Sequence, residues 1–78
     1  MIVVLDTSAA VEVVLQRKSA GKFVQALGSA DLVLSPTLLI AETSNVFWKY
    51  QKFAEYPFAK CEKLIEQAIS LPDEYVNE

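Results

Sequence analysis

The sequence contains no histidine and only one cysteine, Cys61. A disulfide within the chain is therefore impossible, and zinc sites built from Cys and His are excluded. Ser or Cys nucleophiles activated by a His base are excluded as well. Any catalysis by this chain must rest on carboxylates, amines or hydroxyls. Cys61 itself is expected to be a small apolar residue on a helix rather than a reactive thiol.

Glycine and proline are scarce, with two and three residues among 78, and 53% of the residues are hydrophobic. This composition argues against disorder and predicts one small domain. A chain this short buries only a modest share of its surface on folding. We therefore expect some hydrophobic surface to stay uncovered unless a partner subunit, or a further part of the same domain, packs on it.

No stretch of the sequence is long and apolar enough to cross a membrane. Residues 1–15 are apolar, but they lack a basic residue and include Asp6 and Glu12, which is unlike a signal peptide. We expect a soluble, cytoplasmic protein with no membrane partner. The net charge of −3 opposes simple electrostatic binding of nucleic acid. Contacts with RNA would have to come from local patches, a divalent ion or another chain.

The spacing of apolar residues predicts an α/β fold with the order β-α-α-β-α-α. The predicted strands are 2–5 and 31–35, and the predicted helices are 8–16, 17–29, 36–53 and 57–70. Gly28 is expected to end the second helix, and Ser35 to cap the third, with Pro36 in its first turn. The long crossover between the strands predicts a short parallel sheet with a right-handed connection. Residues 71–78 are predicted to be an irregular tail.

Two carboxylates are expected to meet at one edge of this sheet. Asp6 follows the first strand, and Glu42 lies in the second turn of the helix after the second strand. Helical side chains tilt toward the N-terminus of their helix, so the two carboxylates would converge roughly one strand spacing apart, ~5 Å. Glu42 has aliphatic neighbours on its helix, and an ionised group there is costly unless a cation meets it. A hard ion such as Mg²⁺ would suit such a site.

Simpler roles stay open for each of these residues. Asp6 is also a common type of helix cap, and Glu42 could pair with Lys49 or lie at a solvated boundary. Nearby hydroxyls and amides are either site-supporting groups or ordinary capping and solvated side chains. These are Thr7, Ser8 and Asn45.

Three segments together resemble the PIN-domain family, and most closely the VapC-like toxins of type II toxin–antitoxin systems. They are residues 2–9 (IVVLDTSA), the Ser35-Pro36 helix start and residues 41–46 (AETSNV). The resemblance implies a Rossmann-like three-layer fold. It also implies an endoribonuclease that depends on Mg²⁺ or Mn²⁺, is usually dimeric and is often held inactive by an antitoxin.

Carried onto this sequence, the resemblance assigns Asp6 and Glu42 to two of the family's metal-binding, catalytic acids. Thr7 or Ser8 matches its supporting hydroxyl, and Asn45 is a weaker match. The family places its other acids after a third strand, and this chain has no matching residues. We therefore expect residues 1–78 to be the N-terminal portion of a truncated PIN domain, with no appreciable ribonuclease activity alone.

A non-catalytic module is the alternative function. Aromatic residues are frequent between positions 47 and 58, and such residues are enriched at protein interfaces. The third and fourth helices would then bind a second copy of the chain or an antitoxin-like peptide. Under either function we expect a homo-oligomer, because a two-stranded parallel sheet exposes unpaired edges.

Overall fold

The computed structural model describes residues 1–77 and has three strands and four helices in the order β1-α1-α2-β2-α3-α4-β3. The strands are β1 (Ile2–Val4), β2 (Leu32–Pro36) and β3 (Glu74–Val76). The helices are α1 (Thr7–Val14), α2 (Ala20–Ser29), α3 (Leu38–Phe53) and α4 (Phe58–Ile69). The strands lie in the order β1-β2-β3 and both pairs are parallel. The predicted α/β class and the short parallel sheet are confirmed.

The third strand corrects the prediction of a two-stranded sheet followed by an irregular tail. β3 pairs with β2, with Leu34 opposite Glu74 and Pro36 opposite Val76. Asp73 fixes the start of this pairing, since its N–H donates to the Val33 carbonyl at 2.8 Å. Three residues are too few for an alternating pattern to stand out in a sequence. The last residue of the predicted tail, Glu78, lies outside the described residues.

All four helices pack on one face of the sheet. Each strand lies beside the next one along the chain, and right-handed crossovers in one direction put their helices on the same side. Side chains that alternate with the buried ones point to the opposite face and stay exposed: Ile2 is 64%, Val4 69% and Val76 50% exposed. Residues 1–77 thus form two layers, not the three layers that the resemblance implies.

The core lies between this sheet and the helices, in two adjoining clusters. One cluster joins the sheet to α1, α3 and α4, and its buried members are Leu5, Ala9, Ala10, Val33, Leu39 and Ala68. The other fills the space among α1, α3 and α4 with Val11, Phe47, Cys61 and Leu64. The predicted role of Cys61 as a buried apolar residue is confirmed, since its side chain is 3% exposed.

Two residues predicted to start or end helices do not do so, although α2 ends at Ser29 as predicted. Gly28 does not end α2, which continues through Ser29 into extended backbone at Ala30 without a left-handed glycine. Ser35 does not cap α3 but belongs to β2, where its buried hydroxyl donates to the Leu5 carbonyl at 2.8 Å. The hydroxyl is used inside the sheet, so the N-cap position falls on Thr37, which forms no side-chain cap. None of the helices within residues 1–77 has the length and hydrophobicity to cross a bilayer.

Candidate functional site

An open cleft of about 550 Å³ lies between the start of α1 and the first half of α3. It forms where β1 and β2 end, the edge at which open α/β sheets commonly bind ligands. Four of its residues are charged, three of them acidic and one basic, and the other five are polar or apolar. The lining consists of Asp6, Thr7, Ser8, Val11, Glu12, Arg17, Glu42, Val46 and Tyr50.

Asp6 is the N-cap of α1, so its capping role is confirmed. One carboxylate oxygen, Oδ1, accepts hydrogen bonds from the Ala9 N–H at 2.9 Å and from the Ser8 hydroxyl at 3.1 Å. Within the described chain, Oδ2 accepts no hydrogen bond. Because the cap uses only one oxygen, the second is available to a ligand in the cleft. Capping and ligand binding are therefore compatible roles for this residue.

Glu42 is tied to the same rim by Thr7. The Thr7 hydroxyl donates to Glu42 Oε1 at 3.1 Å, which joins the first residue of α1 to the second turn of α3. The carboxylates of Asp6 and Glu42 thus line one cleft, as expected from the sequence. Glu42 is exposed, so the predicted cost of burying its charge is not incurred. The alternative pairing with Lys49 is not among the ion pairs formed by residues 1–77.

Asn45 does not line the cleft, and its supporting role stays a prediction. The α3 side of the cleft follows Glu42, Val46 and Tyr50, which are spaced four residues apart and form one ridge of the helix. Asn45 is three residues from Glu42 and falls on the flank away from that ridge, where it is exposed to solvent. Within residues 1–77, Asn45 forms no side-chain hydrogen bond with Asp6 or Glu42.

Five lining residues were not predicted to belong to the site, and three of them, Glu12, Arg17 and Tyr50, contact one another in sequence order. Glu12 follows Ser8 by four residues and so lies on the same face of α1. Its carboxylate faces Arg17, with Oε1 3.8 Å from Nη1, and its Oε2 accepts from the Ser19 N–H at 3.4 Å. Arg17 lies against Tyr50, with 5.5 Å between the guanidinium carbon and the ring centre. Glu12 could have been found from its four-residue spacing after Ser8, and Tyr50 from the four-residue steps that begin at Glu42.

The charges of the cleft favour a cation as its first ligand. Three carboxylates face one guanidinium, so the lining carries a net charge of −2. Carboxylate and hydroxyl oxygens are ligands for hard divalent ions, and Mg²⁺ is commonly held by only one or two carboxylates with water completing the shell. The carboxylate and hydroxyl oxygens near Asp6 and Glu42 suit such an ion, but they are few. Residues 1–77 contain no cluster of three or more acidic, Cys or His side chains arranged to hold a metal.

Comparisons of this chain with protein-family models, with curated proteins and with solved structures found no match. The PIN-domain resemblance therefore stays a prediction, based on the sequence segments given above.

Proposed function

We propose that this chain is the acidic, metal-binding portion of a PIN-type endoribonuclease, a cytoplasmic toxin of a type II toxin–antitoxin system that uses Mg²⁺ or Mn²⁺. The observation that carries the proposal is that Asp6 and Glu42 line the same cleft. Thr7, the neighbour of Asp6, donates its hydroxyl to Glu42 at 3.1 Å. Residues 36 positions apart meet there because one follows β1 and the other follows β2.

The residues of the cleft would divide the work in a simple way. Asp6, through its free Oδ2, and Glu42 would hold the ion. Ser8 and Thr7 would orient those two carboxylates, since each donates its hydroxyl proton to one of them. A divalent ion bound there supplies an activated water and stabilises the charge that develops on a phosphoryl group. With only two carboxylates at the rim, we expect weak metal binding and no appreciable ribonuclease activity from this chain alone.

Metal binding is best tested with Mn²⁺, which broadens the NMR signals of nearby amides. We expect broadening centred on Thr7, Ser8 and Glu42. The Asp6→Asn variant should reduce Mn²⁺ affinity at least about tenfold, a loss that even removal of a supporting group can cause at a metal site. Asn caps helices as well as Asp does, so this variant should fold normally. Glu62→Gln, which changes an exposed carboxylate on α4, is the matched control.

One result would count against the metal site, and another against the expected inactivity of this chain alone. Broadening that is centred elsewhere, or that is equal in Asp6→Asn and Glu62→Gln, would remove the metal site. Efficient Mg²⁺-dependent RNA cleavage by the purified chain, lost in Asp6→Asn, would contradict the expected inactivity while supporting the nuclease chemistry.

The alternative function, a module that binds a second copy or an antitoxin-like protein, is favoured by the exposed apolar surface. The aromatic residues between positions 47 and 58 differ in their exposure. Phe47 is fully buried, whereas Trp48, Phe53 and Phe58 are 51%, 73% and 62% exposed. The sheet adds a second apolar face, which includes Val4 on the edge strand β1. Monomeric proteins rarely leave large contiguous apolar patches open to water.

Self-association is tested by analytical ultracentrifugation over a range of concentrations. If the sheet face is the interface, Val4→Lys should give a folded monomer, because a lysine cannot be buried there without a partner. Val24→Lys, at a comparably exposed valine on α2, should leave association unchanged. A wild-type chain that is stable and monomeric at every concentration would end this alternative.

A further inference from the structure

Arg17 is directed into the acidic cleft by the turn that ends α1. Gln16 has a left-handed backbone with φ 54°, which is unusual for a residue other than glycine. The N–H of Arg17 donates to the Glu12 carbonyl at 3.0 Å, and the N–H of Gln16 donates to the Val13 carbonyl at 3.1 Å. This pair of bonds is a Schellman motif, which reverses the chain at a helix end. The reversal brings Arg17 back beside Glu12.

The guanidinium of Arg17 is held loosely by its acidic partner. The distance of 3.8 Å between Nη1 and Glu12 Oε1 is long for an ion pair, and the side chains are 46% and 27% exposed. Exposed pairs of this kind contribute little to stability. Tyr50 supports the guanidinium from another side, at 5.5 Å from the ring centre. Arg17 is thus held in place beside Tyr50, and its ion pair with Glu12 is weak.

Arg17 is also the only cation in the cleft lining, where it faces three carboxylates. An RNA phosphate that approaches this lining is repelled unless a divalent ion and Arg17 offset the acids. With a divalent ion bound, the lining is neutral, and the guanidinium offers N–H donors in a fork that matches two phosphate oxygens. The other side-chain donors of the lining are uncharged hydroxyls.

We propose that Arg17 binds a phosphate of the RNA strand in the cleft, with Tyr50 supporting its guanidinium and Glu12 as the partner that phosphate displaces. This inference rests on the proposed function, because it takes RNA as the ligand of the same cleft. It adds a substrate-binding residue that lies on the loop after α1 and is separate from the metal-binding acids.

Binding of a short, fluorescein-labelled single-stranded RNA tests this inference by anisotropy, with MnCl₂ present and at several NaCl concentrations. Arg17→Ala should raise the Kd about tenfold and lower the slope of log Kd against log salt by about 0.7, the value for one phosphate contact on a single strand. Lys18→Ala, an exposed neighbour outside the cleft, should change neither. Glu12→Gln should lower the Kd, because it removes the competing carboxylate. The gain should be smaller when Arg17 is also replaced by Ala, because the remaining effect of Glu12→Gln is then only weaker repulsion of RNA; equal gains in both backgrounds would indicate a purely structural Arg17.

The outcomes separate this inference from the proposed function when Mn²⁺ line broadening is recorded on the same proteins. If Mn²⁺ binds the cleft but Arg17→Ala and Lys18→Ala have the same Kd and salt slope, the Arg17 inference is wrong and the metal site stands. If Mn²⁺ does not bind while Arg17→Ala still weakens RNA binding, the metal proposal is wrong and the phosphate contact stands. A wild-type chain that binds no RNA in the presence of Mn²⁺ overturns the Arg17 inference.

Discussion

Asp73 connects the last strand of the sheet to β2 through both its side chain and its backbone. Its Oδ2 accepts from the Val33 N–H at 2.7 Å, and its own N–H donates to the Val33 carbonyl at 2.8 Å. Val33 belongs to the core and is 5% exposed. Replacing Asp73 by Ala therefore removes the only partner that this N–H has within residues 1–77 and leaves a donor with little access to water.

The expected loss follows from the type of bond. A hydrogen bond to a charged acceptor contributes about 1.5–3 kcal/mol, and an unpaired buried donor costs a similar amount, so we expect Asp73→Ala to lower the free energy of unfolding by about 2 kcal/mol. A chain of this size is typically stable by roughly 4–12 kcal/mol, so the loss is a large share of the total. Asp73→Asn, which keeps an acceptor oxygen without the charge, should lose about half as much.

Urea unfolding followed by far-UV circular dichroism measures this loss. With a slope of about 1 kcal/mol per molar urea, the midpoint should fall by about 2 M in Asp73→Ala. Glu74→Ala, at an exposed neighbour in β3, should change stability by less than about 0.5 kcal/mol. The Val33 amide should also exchange its hydrogen faster in Asp73→Ala alone. Equal midpoints for Asp73→Ala and Glu74→Ala, with unchanged exchange at Val33, would refute the third strand.

Three further predictions concern single side chains. Gln16→Gly should stabilise the chain by about 1 kcal/mol in urea unfolding, because glycine adopts the left-handed backbone without a Cβ clash; a loss of stability would contradict the strain. Thr43→Val should raise stability by about 1 kcal/mol, because the fully buried Thr43 hydroxyl has no hydrogen-bond partner within residues 1–77. Burial raises the pKa of Tyr75 above its ordinary value of 10.0, and its hydroxyl donates to the Ile69 carbonyl at 2.5 Å. This bond should stabilise the wild type over Tyr75→Phe by about 1 kcal/mol at neutral pH. The difference should disappear as the pH rises above 10 through the raised pKa, because the phenolate cannot donate; a difference independent of pH would argue against the bond.

Much of the fold could be predicted because long periodic segments carry a strong signal. Helical spacing predicts that the apolar face of α4 comprises Phe58, Cys61, Leu64, Ile65 and Ala68. Cys61, Leu64 and Ala68 are its buried residues, whereas Phe58, at the start of the helix, is 62% exposed. Short features could not be predicted in the same way. β3 depends on hydrogen bonds between Asp73 and Val33, which are 40 residues apart, so no local pattern reveals it.

The site was predictable to the extent that strand ends determine it. Asp6 and Glu42 follow neighbouring parallel strands, and this alone brings them to one edge. Arg17 was not predictable, because its position depends on a left-handed turn at Gln16, where the sequence has no glycine. Asn45 was named as a weaker match of the family resemblance one turn after Glu42, and it does not line the cleft because the lining follows the ridge of Glu42, Val46 and Tyr50.

Association through the sheet face and ligand binding in the cleft use different sides of the molecule and therefore need not compete. The cleft is bordered by α1 and α3, which pack on the covered face of the sheet, whereas Ile2, Val4 and Val76 lie on the opposite face. A second copy or a partner protein that covered this apolar face would leave Asp6 and Arg17 open to RNA. It would also stiffen β1, and Asp6 follows β1 after one residue. Association through the sheet would then improve metal binding instead of replacing it. A metal-binding side chain beside a rigid strand loses less conformational freedom when the ion binds.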